Sequence, residues 1–286
     1  AASDVYKRQS FNLKDIFECG QCFRWNEEDD GSYTGVFSNN VINVKKVDNG
    51  IFFKGMCEDD IVNTVIDYFD LERDYEQIKS ILSKVDKNME ESIKYGEGIR
   101  ILNQDLWETI ISFIISANNN IPRIKGIIER LSKKYGSKIE FNNKEYYTFP
   151  RPEELKDVSV EEYRDLGLGF RDIRLYETTN MILNKEIDIS NLHKIKDTNK
   201  VREELLKLSG VGPKVADCIL LFSTLKRFDV FPIDVWVRRV MNDLYIHKED
   251  EKNVDKKEIL NLAQEKFGNL EGIAQQYLFY WRRELG

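Results

Sequence analysis

Lys214 and Asp234 are the two residues whose types and settings most directly suggest chemistry. Lys214 follows Leu208-Ser209-Gly210-Val211-Gly212-Pro213, with two glycines one residue apart between apolar residues. That pattern predicts a tight hairpin joining a helix that ends near Leu208 to one that begins near Pro213. Glycine permits the positive-φ turn and lets backbone N–H groups come close to a ligand. The amides of Gly210, Val211 and Gly212 would then sit at a helix start, a ready site for a phosphate. Lys214 falls in the first helical turn, where the helix dipole disfavours a cation. A lysine so placed has reason for a lowered pKa, which a nucleophilic amine requires. Read alone, the same residues also fit a Schellman-type stop followed by a proline-started helix with Lys214 solvated. Asp234 alone also fits an N-cap for a helix beginning Val235-Trp236, and a capping and a chemical role can hold together.

The wider pattern, Leu208-x-Gly210-x-Gly212-x-x-x-Ala216 with Lys214 inside it and Ile233-Asp234-Val235 downstream, resembles the helix-hairpin-helix and Gly/Pro…Asp element of the DNA base-excision glycosylases. The resemblance implies that Lys214 attacks a sugar carbon and that the adduct rearranges to a Schiff base. A carboxylate at Asp234 suits the oxocarbenium character of a breaking N-glycosidic bond. The Schiff base would acidify the neighbouring sugar proton and allow strand nicking by β-elimination.

Other segments resemble one branch of that superfamily, the 8-oxoguanine DNA glycosylases, in the family's order. They are Gly20-Gln21-Cys22-Phe23-Arg24-Trp25, Asn118-Asn119-Asn120-Ile121-Pro122-Arg123, Gly167-Leu168-Gly169-Phe170-Arg171 and Gly272-Ile273-Ala274-Gln275-Gln276-Tyr277-Leu278-Phe279. By this resemblance the Gly20 carbonyl accepts from the N7–H that an oxidised guanine carries and guanine lacks. A pocket built around such a bond rejects the analogue that cannot make it. Cys218 and Phe279 sandwich the flipped base, and Gln275 bonds its Watson–Crick edge. Asn118, Arg123 and Arg171 hold the orphaned cytosine, with Phe170 as the wedge beside it; arginine and asparagine offer several donors in fixed geometry. Without the resemblance, Phe279 reads as core, Gln275 as a solvated helix face, the asparagines as a turn and Arg171 as a surface charge.

Two departures from the family pattern stand out. Trp236 occupies a position where the animal enzymes carry a phosphate-contacting histidine, and Phe170 replaces the more usual tyrosine. Cys19 and Cys22 form a C-x-x-C spacing with no second pair, so free thiols rather than zinc are expected. The lack of any cysteine after Cys218 speaks against an iron–sulfur cluster, which needs clustered ligands. His193 and His247 are the only histidines. We therefore expect neither metal nor organic cofactor.

Positioning such a site takes a sizeable frame, and 286 residues suffice for one large core or two moderate ones. With 41% hydrophobic and 33% charged residues, the composition is that of an ordinary globular protein. No apolar run reaches membrane-spanning length and no signal-peptide pattern is visible, so a cytoplasmic protein without membrane contact is expected. The Lys-, Ile- and Asn-rich composition fits an AT-rich bacterial genome. A net charge of −7 opposes nonspecific polyanion binding but leaves room for a local basic face. Lys207, Lys214, Lys226, Arg227, Arg238 and Arg239 cluster around the hairpin.

Residues 1–10 read as a non-native or disordered tail and are set apart from the fold. In 11–100, Cys22–Trp25, Ser32–Phe37, Val41–Val44 and Ile51–Phe53 are strand candidates. Asp29-Asp30-Gly31, Ser38-Asn39-Asn40 and Asp48-Asn49-Gly50 read as hairpin loops between them. Helical periodicity then takes over at Ile61, Val65, Ile66 and Phe69 and at Ile78, Ile81, Leu82 and Val85. From Trp107 onward almost every segment reads helical. The expected fold is α+β: a small N-terminal antiparallel sheet packed on a mainly helical body, 101–286, that contains the helix-hairpin-helix. The reading implied is a monomeric DNA glycosylase and lyase acting on 8-oxoguanine opposite cytosine in damaged double-stranded DNA. Its alternatives are a glycosylase of another lesion specificity and a noncatalytic hairpin module that grips DNA backbone.

Overall fold

The computed structural model describes residues 2–6 and 10–285. Strands β1 (Ala2–Tyr6), β2 (Trp25–Glu27), β3 (Tyr33–Phe37), β4 (Asn40–Val47) and β5 (Gly50–Met56) form an antiparallel sheet in the order β1-β5-β4-β3-β2. The loops anticipated at residues 29–31, 38–40 and 48–50 connect the last four of these strands. The first sheet strand after the tail begins at Trp25 rather than Cys22. The loop ahead of it is held by side-chain amides, those of Gln276 on the Cys19 carbonyl and of Gln104 on the Gln21 carbonyl. Ala2–Tyr6, set aside as tail in the sequence, runs antiparallel to β5, with Ala2 opposite Gly55 and Tyr6 opposite Ile51. An open sheet edge can pair with an extended segment through backbone groups alone.

One face of the sheet closes over an aromatic cluster. Trp25 stacks on Phe17 with centroids 4.2 Å apart and donates to the Tyr68 hydroxyl at 2.9 Å. Gly35 is opposite Trp25, and a Cβ there would fall 2.2 Å from the indole. Only glycine leaves room for that ring.

Helices α1 (Leu13–Glu18), α2 (Ile61–Tyr68), α3 (Tyr75–Ser83) and α4 (Lys87–Tyr95) flank the sheet or lead away from it. The body follows with α5 (Leu106–Ser116), α6 (Ile121–Tyr135), α7 (Val160–Asp165), α8 (Asp172–Leu183) and α9 (Thr198–Leu206). It is completed by α10 (Pro213–Phe222), α11 (Val235–Met241), α12 (Lys256–Phe267) and α13 (Glu271–Leu285). A hairpin of β6 (Lys138–Phe141) and β7 (Lys144–Tyr147) interrupts the helices. Its turn residues Asn142 and Asn143 both have positive φ, 51° and 59°. That is the two-residue asparagine turn matched to strand twist, a signal present in the sequence but not anticipated there.

Helix α5 is apolar around most of its circumference and runs through the main core, which explains why it sits between α6, α8 and α10. Its start is fixed by Asp105, which accepts from Glu108 N at 2.9 Å. A parallel bridge between Gln104 and Ser223 pins the start of α5 to the end of α10. The opposite ends of these helices, near Ala117 and Lys214, therefore lie on the same side of the body. No helix among the described residues is long and apolar enough to cross a membrane.

Candidate active site and nucleic-acid interface

The hairpin forms as the glycine spacing predicts. Gly210 has φ +82°, and a Cβ there would meet Arg174 Cβ at 3.0 Å and Ile114 Cγ2 at 3.1 Å. Glycine is thus required both by the turn and by close packing on α5 and α8. The Ser209 carbonyl is held by Thr178 Oγ1 at 2.8 Å. Gly212 caps α10 without any side-chain acceptor, and a Cβ there would point into open space. The first amides of α10 thus face outward with no side-chain cap, the condition for anion binding at a helix start. Of the three hairpin residues, Val211 is partly committed, since its N–H donates to the Leu208 carbonyl at 3.2 Å.

Lys214, in the first turn of α10, lines a cleft of about 50 Å³ together with Gly20, Cys218, Asp234, Gln275 and Phe279. The structure therefore gathers all six residues assigned to nucleophile, carboxylate and base pocket, from four separate stretches of chain. Asp234 is the N-cap of α11, its Oδ1 accepting from Val237 N at 2.8 Å, and it also lines the cleft. The capping role and the chemical setting coexist. Phe113 of α5, unremarked in the sequence, underlies the site with its ring centroid 5.7 Å from Lys214 Nζ. Nothing in the mostly apolar sequence of α5 singles it out.

Two walls of the cleft are suited to a flat ring. Cys218 is buried, and desolvation pushes its thiol up to about 11 even though the Lys214 ammonium pulls the other way. It stays a neutral, polarizable surface. Phe279 on α13 approaches Gly20 so closely that a Cβ on the glycine would be 3.4 Å from the phenyl Cε1. Gly20 itself has φ +91°. Gln275, 5% exposed, has an Oε1 with no hydrogen-bond partner among the described residues. A buried acceptor left open is costly, about 1–3 kcal/mol, and this one borders the cleft.

A second group lies where α5 ends. Asn118 has φ +50°. Phe170 is 63% exposed and forms the tip of the Gly169–Arg171 turn. Arg123 is exposed and donates to the Gly167 carbonyl at 3.2 Å. Arg171 differs from the sequence reading of a surface charge. It is 2% exposed, stacks 4.2 Å from the Phe170 ring centroid, and donates to the Ala117, Asn118 and Leu168 carbonyls. Burial, with Arg123 nearby, lowers its pKa from the usual arginine range.

The basic cluster around the hairpin is smaller than the sequence suggests. Lys226 is partly buried with its ammonium 3.5 Å from Asp70, and Arg227 bonds the Ile195 and Lys196 carbonyls. Lys207 and Arg239 pair with Glu204 and Glu251. Much acidic charge lies elsewhere, in a groove of about 700 Å³ lined by Glu58, Asp59, Asp60, Asp67 and Asp105. That groove reaches Thr224 beyond the far end of α10 and is separated from Lys214 by the length of the helix, about 15 Å. Trp236, the departure from histidine, is half-buried against the main core, and its indole Nε1 has no partner among the described residues.

Cys19, Cys22, Cys57 and Cys218 are free thiols, and burial pushes Cys19 up to about 12. Among the described residues no cluster of His, Cys, Asp and Glu could hold a metal ion.

Residues 5–110 match the family model described as 8-oxoguanine DNA glycosylase, N-terminal domain. Residues 111–269 match that of the HhH-GPD superfamily base excision DNA repair proteins. A Methanothermobacter thermautotrophicus protein named "Probable N-glycosylase/DNA lyase" is 35% identical over 238 residues, 76% of this chain and 73% of its own length. The structure of MBOgg1 in complex with a low affinity DNA ligand is similar with a TM-score of 0.92 and 46% identity, over all of both chains. So is the Clostridium acetobutylicum 8-oxoguanine glycosylase/lyase in complex with double-stranded DNA containing cytosine opposite 8-oxoguanine. There the TM-score is 0.91 and the identity 41%, over 100% of this chain and 98% of that one.

Proposed function

The chain belongs to the HhH-GPD superfamily of base excision DNA repair proteins, with an 8-oxoguanine DNA glycosylase N-terminal domain ahead of that unit, and we propose that it is a DNA glycosylase and AP lyase that excises 8-oxoguanine. The observation that carries this reading is the single cleft shared by Lys214, Asp234, Gly20 and Gln275. An amine and a carboxylate there adjoin two hydrogen-bond acceptors that receive no donor among the described residues, the Gly20 carbonyl and Gln275 Oε1.

Once its ammonium has given up a proton, the Lys214 amine forms a bond to the sugar C1′ as the glycosidic bond breaks; the electron pair of that broken bond leaves with the base, which takes up the proton that the attacking nitrogen releases. Asp234 stabilises the positive charge on the sugar during this exchange. Ring opening gives the Schiff base, and loss of a C2′ proton expels the 3′ phosphate. Water releases the lysine. The Gly20 carbonyl accepts from N7–H of 8-oxoguanine, a donor that guanine lacks, while Cys218 and Phe279 flank the flipped ring.

Cytosine is the preferred opposite base, read by Arg123 with Asn118 and supported by Arg171, while exposed Phe170 fills the gap in the stack. The uncapped start of α10 at Gly210, Val211 and Gly212 grips a phosphate of the damaged strand. The enzyme acts on double-stranded DNA as a monomer, without metal or organic cofactor.

Borohydride trapping on a duplex with 8-oxoguanine opposite cytosine tests the reading. The parent chain should give a covalent adduct and Lys214→Gln none. Equal yields from the two reject Lys214 as nucleophile, and no base release by the parent rejects the function.

A further inference from the structure

Three consecutive carbonyls in the loop between α1 and β2 are treated differently by the rest of the molecule. The Cys19 carbonyl accepts from the side-chain amide of Gln276. The Gln21 carbonyl accepts from Gln104 Nε2 at 2.7 Å. Between them, the Gly20 carbonyl receives no donor among the described residues. Gly20 and Gln276 both line the cleft, whereas Gln104 is not among its lining residues.

This arrangement fixes the loop from both sides. The peptide unit that carries the Cys19 carbonyl precedes Gly20, and the one that carries the Gln21 carbonyl follows its successor. Gly20, at φ +91°, is the conformationally freest residue between them. Gln21 itself cannot turn: it is fully buried, donates to the Ile16 and Arg100 carbonyls at 2.9 and 2.7 Å, and accepts from Leu102 N at 2.9 Å.

The two clamping amides also tie the loop to the helices that bear the other site residues. Gln276, 2% exposed, is the neighbour of Gln275 on α13. Gln104 Nε2 also reaches the Phe222 carbonyl at 3.2 Å, at the end of the helix that Lys214 begins. The open carbonyl is thus held in register with both the nucleophile and the edge-reading amide.

We infer that Gln276 and Gln104 are positioning residues that aim the Gly20 carbonyl, and that Gln276 thereby sets discrimination for a base bearing a proton at N7. This rests on the reading of Gly20 as the acceptor of that proton. A hydrogen bond weakens steeply as its angle falls below about 120°, and a misplacement near 1 Å can cost about a hundredfold in rate.

The test uses Gln276→Met, which keeps the side-chain volume and removes the donor. Single-turnover release of 8-oxoguanine should fall about ten- to a hundredfold. Strand cleavage at a preformed abasic site, which needs Lys214 but no base, should change by less than about twofold. Amide exchange over residues 19–22 of the free protein should rise, with the thermal midpoint little moved. Gln104→Met should give the same split from the other side and serves if the first variant folds poorly. Parent-like base release, an equal fall in both reactions, or unchanged exchange overturns the inference. If the parent releases no 8-oxoguanine, the functional reading fails, and exchange alone then decides whether the clamp exists.

Discussion

Arg171 donates through Nε to the Ala117 carbonyl at 2.9 Å and through Nη2 to the Asn118 carbonyl at 2.7 Å. A buried guanidinium therefore fixes the positive-φ turn on which Asn118 sits. Arg123 is exposed, and among the described residues its side chain makes a single bond, to the Gly167 carbonyl. The two arginines should separate when mutated.

Arg123→Ala is expected to leave stability within about 0.5 kcal/mol, as for a surface substitution, while narrowing the preference for cytosine over the other opposite bases. Arg171→Ala should lower that preference too, and also cost about 1–3 kcal/mol because buried carbonyls lose their donor. Excision rates against four opposite bases, with urea denaturation of each variant, check both. Equal stability losses would show that burial of Arg171 has no structural consequence.

Asp234 is both a cap and a carboxylate in the cleft, and the two roles can be split. Asparagine caps a helix as well as aspartate does, so Asp234→Asn should melt like the parent. Its base-release rate should nevertheless fall about a hundred- to a thousandfold, the usual loss on removing one electrostatic stabiliser. Asp234→Ala should show the same fall in rate and lose about 1 kcal/mol of stability as well. A parent-like rate for Asp234→Asn leaves only the cap.

Stability should also depend on pH through Glu271, which opens α13, is 6% exposed, and has an Oε2 without a partner among the described residues. Burial, then the charges of Asp229 and Asp217, push its carboxyl from 4.5 up to about 7, against the pull of Arg202. With the folded value raised, the native state holds the extra proton between those two limits. The associated stability is present below about 4.5 and lost as pH rises through 7. Glu271→Gln should therefore match the parent near pH 4.5 and exceed it at pH 8 by up to about 3 kcal/mol. Denaturant melts at the two pH values decide it. Glu108, raised to about 7 by burial, adds a trend of the same sign in both proteins and cancels in the difference.

What was legible in the sequence is what local chemistry dictates. Gly210 and Gly212 announce a turn because no other residue fits its geometry, and the aspartate and asparagine breaks mark the hairpins of the N-terminal sheet. The α+β division follows from the change of hydrophobic period near Ile61. Contacts between distant side chains and backbone carbonyls leave no such trace. Lys226 and Arg227 look like part of a basic face, yet tertiary contacts turn them inward to Asp70 and to the carbonyls before α9. Gln276 reads as one more polar helix residue until its amide is seen on the Cys19 carbonyl, 257 positions away. The β6–β7 hairpin is a different case: Asn142-Asn143 carries its signature, and helical expectation for the surrounding body obscured it.

Gln275 links stability to recognition most directly. Its buried Oε1 has no partner among the described residues, and such a group costs about 1–3 kcal/mol. Gln275→Met keeps the volume and removes the orphaned acceptor, so the free protein should become more stable, by about 1 kcal/mol. The same change removes a bond to the edge of the flipped base, so 8-oxoguanine release should fall about ten- to a hundredfold. Affinity for undamaged duplex, which presents no flipped base to the cleft, should hardly move. A thermal melt, a single-turnover assay and a binding titration on undamaged DNA separate these effects. A variant that is less stable but excises normally would assign Gln275 to the core of α13 rather than to the substrate.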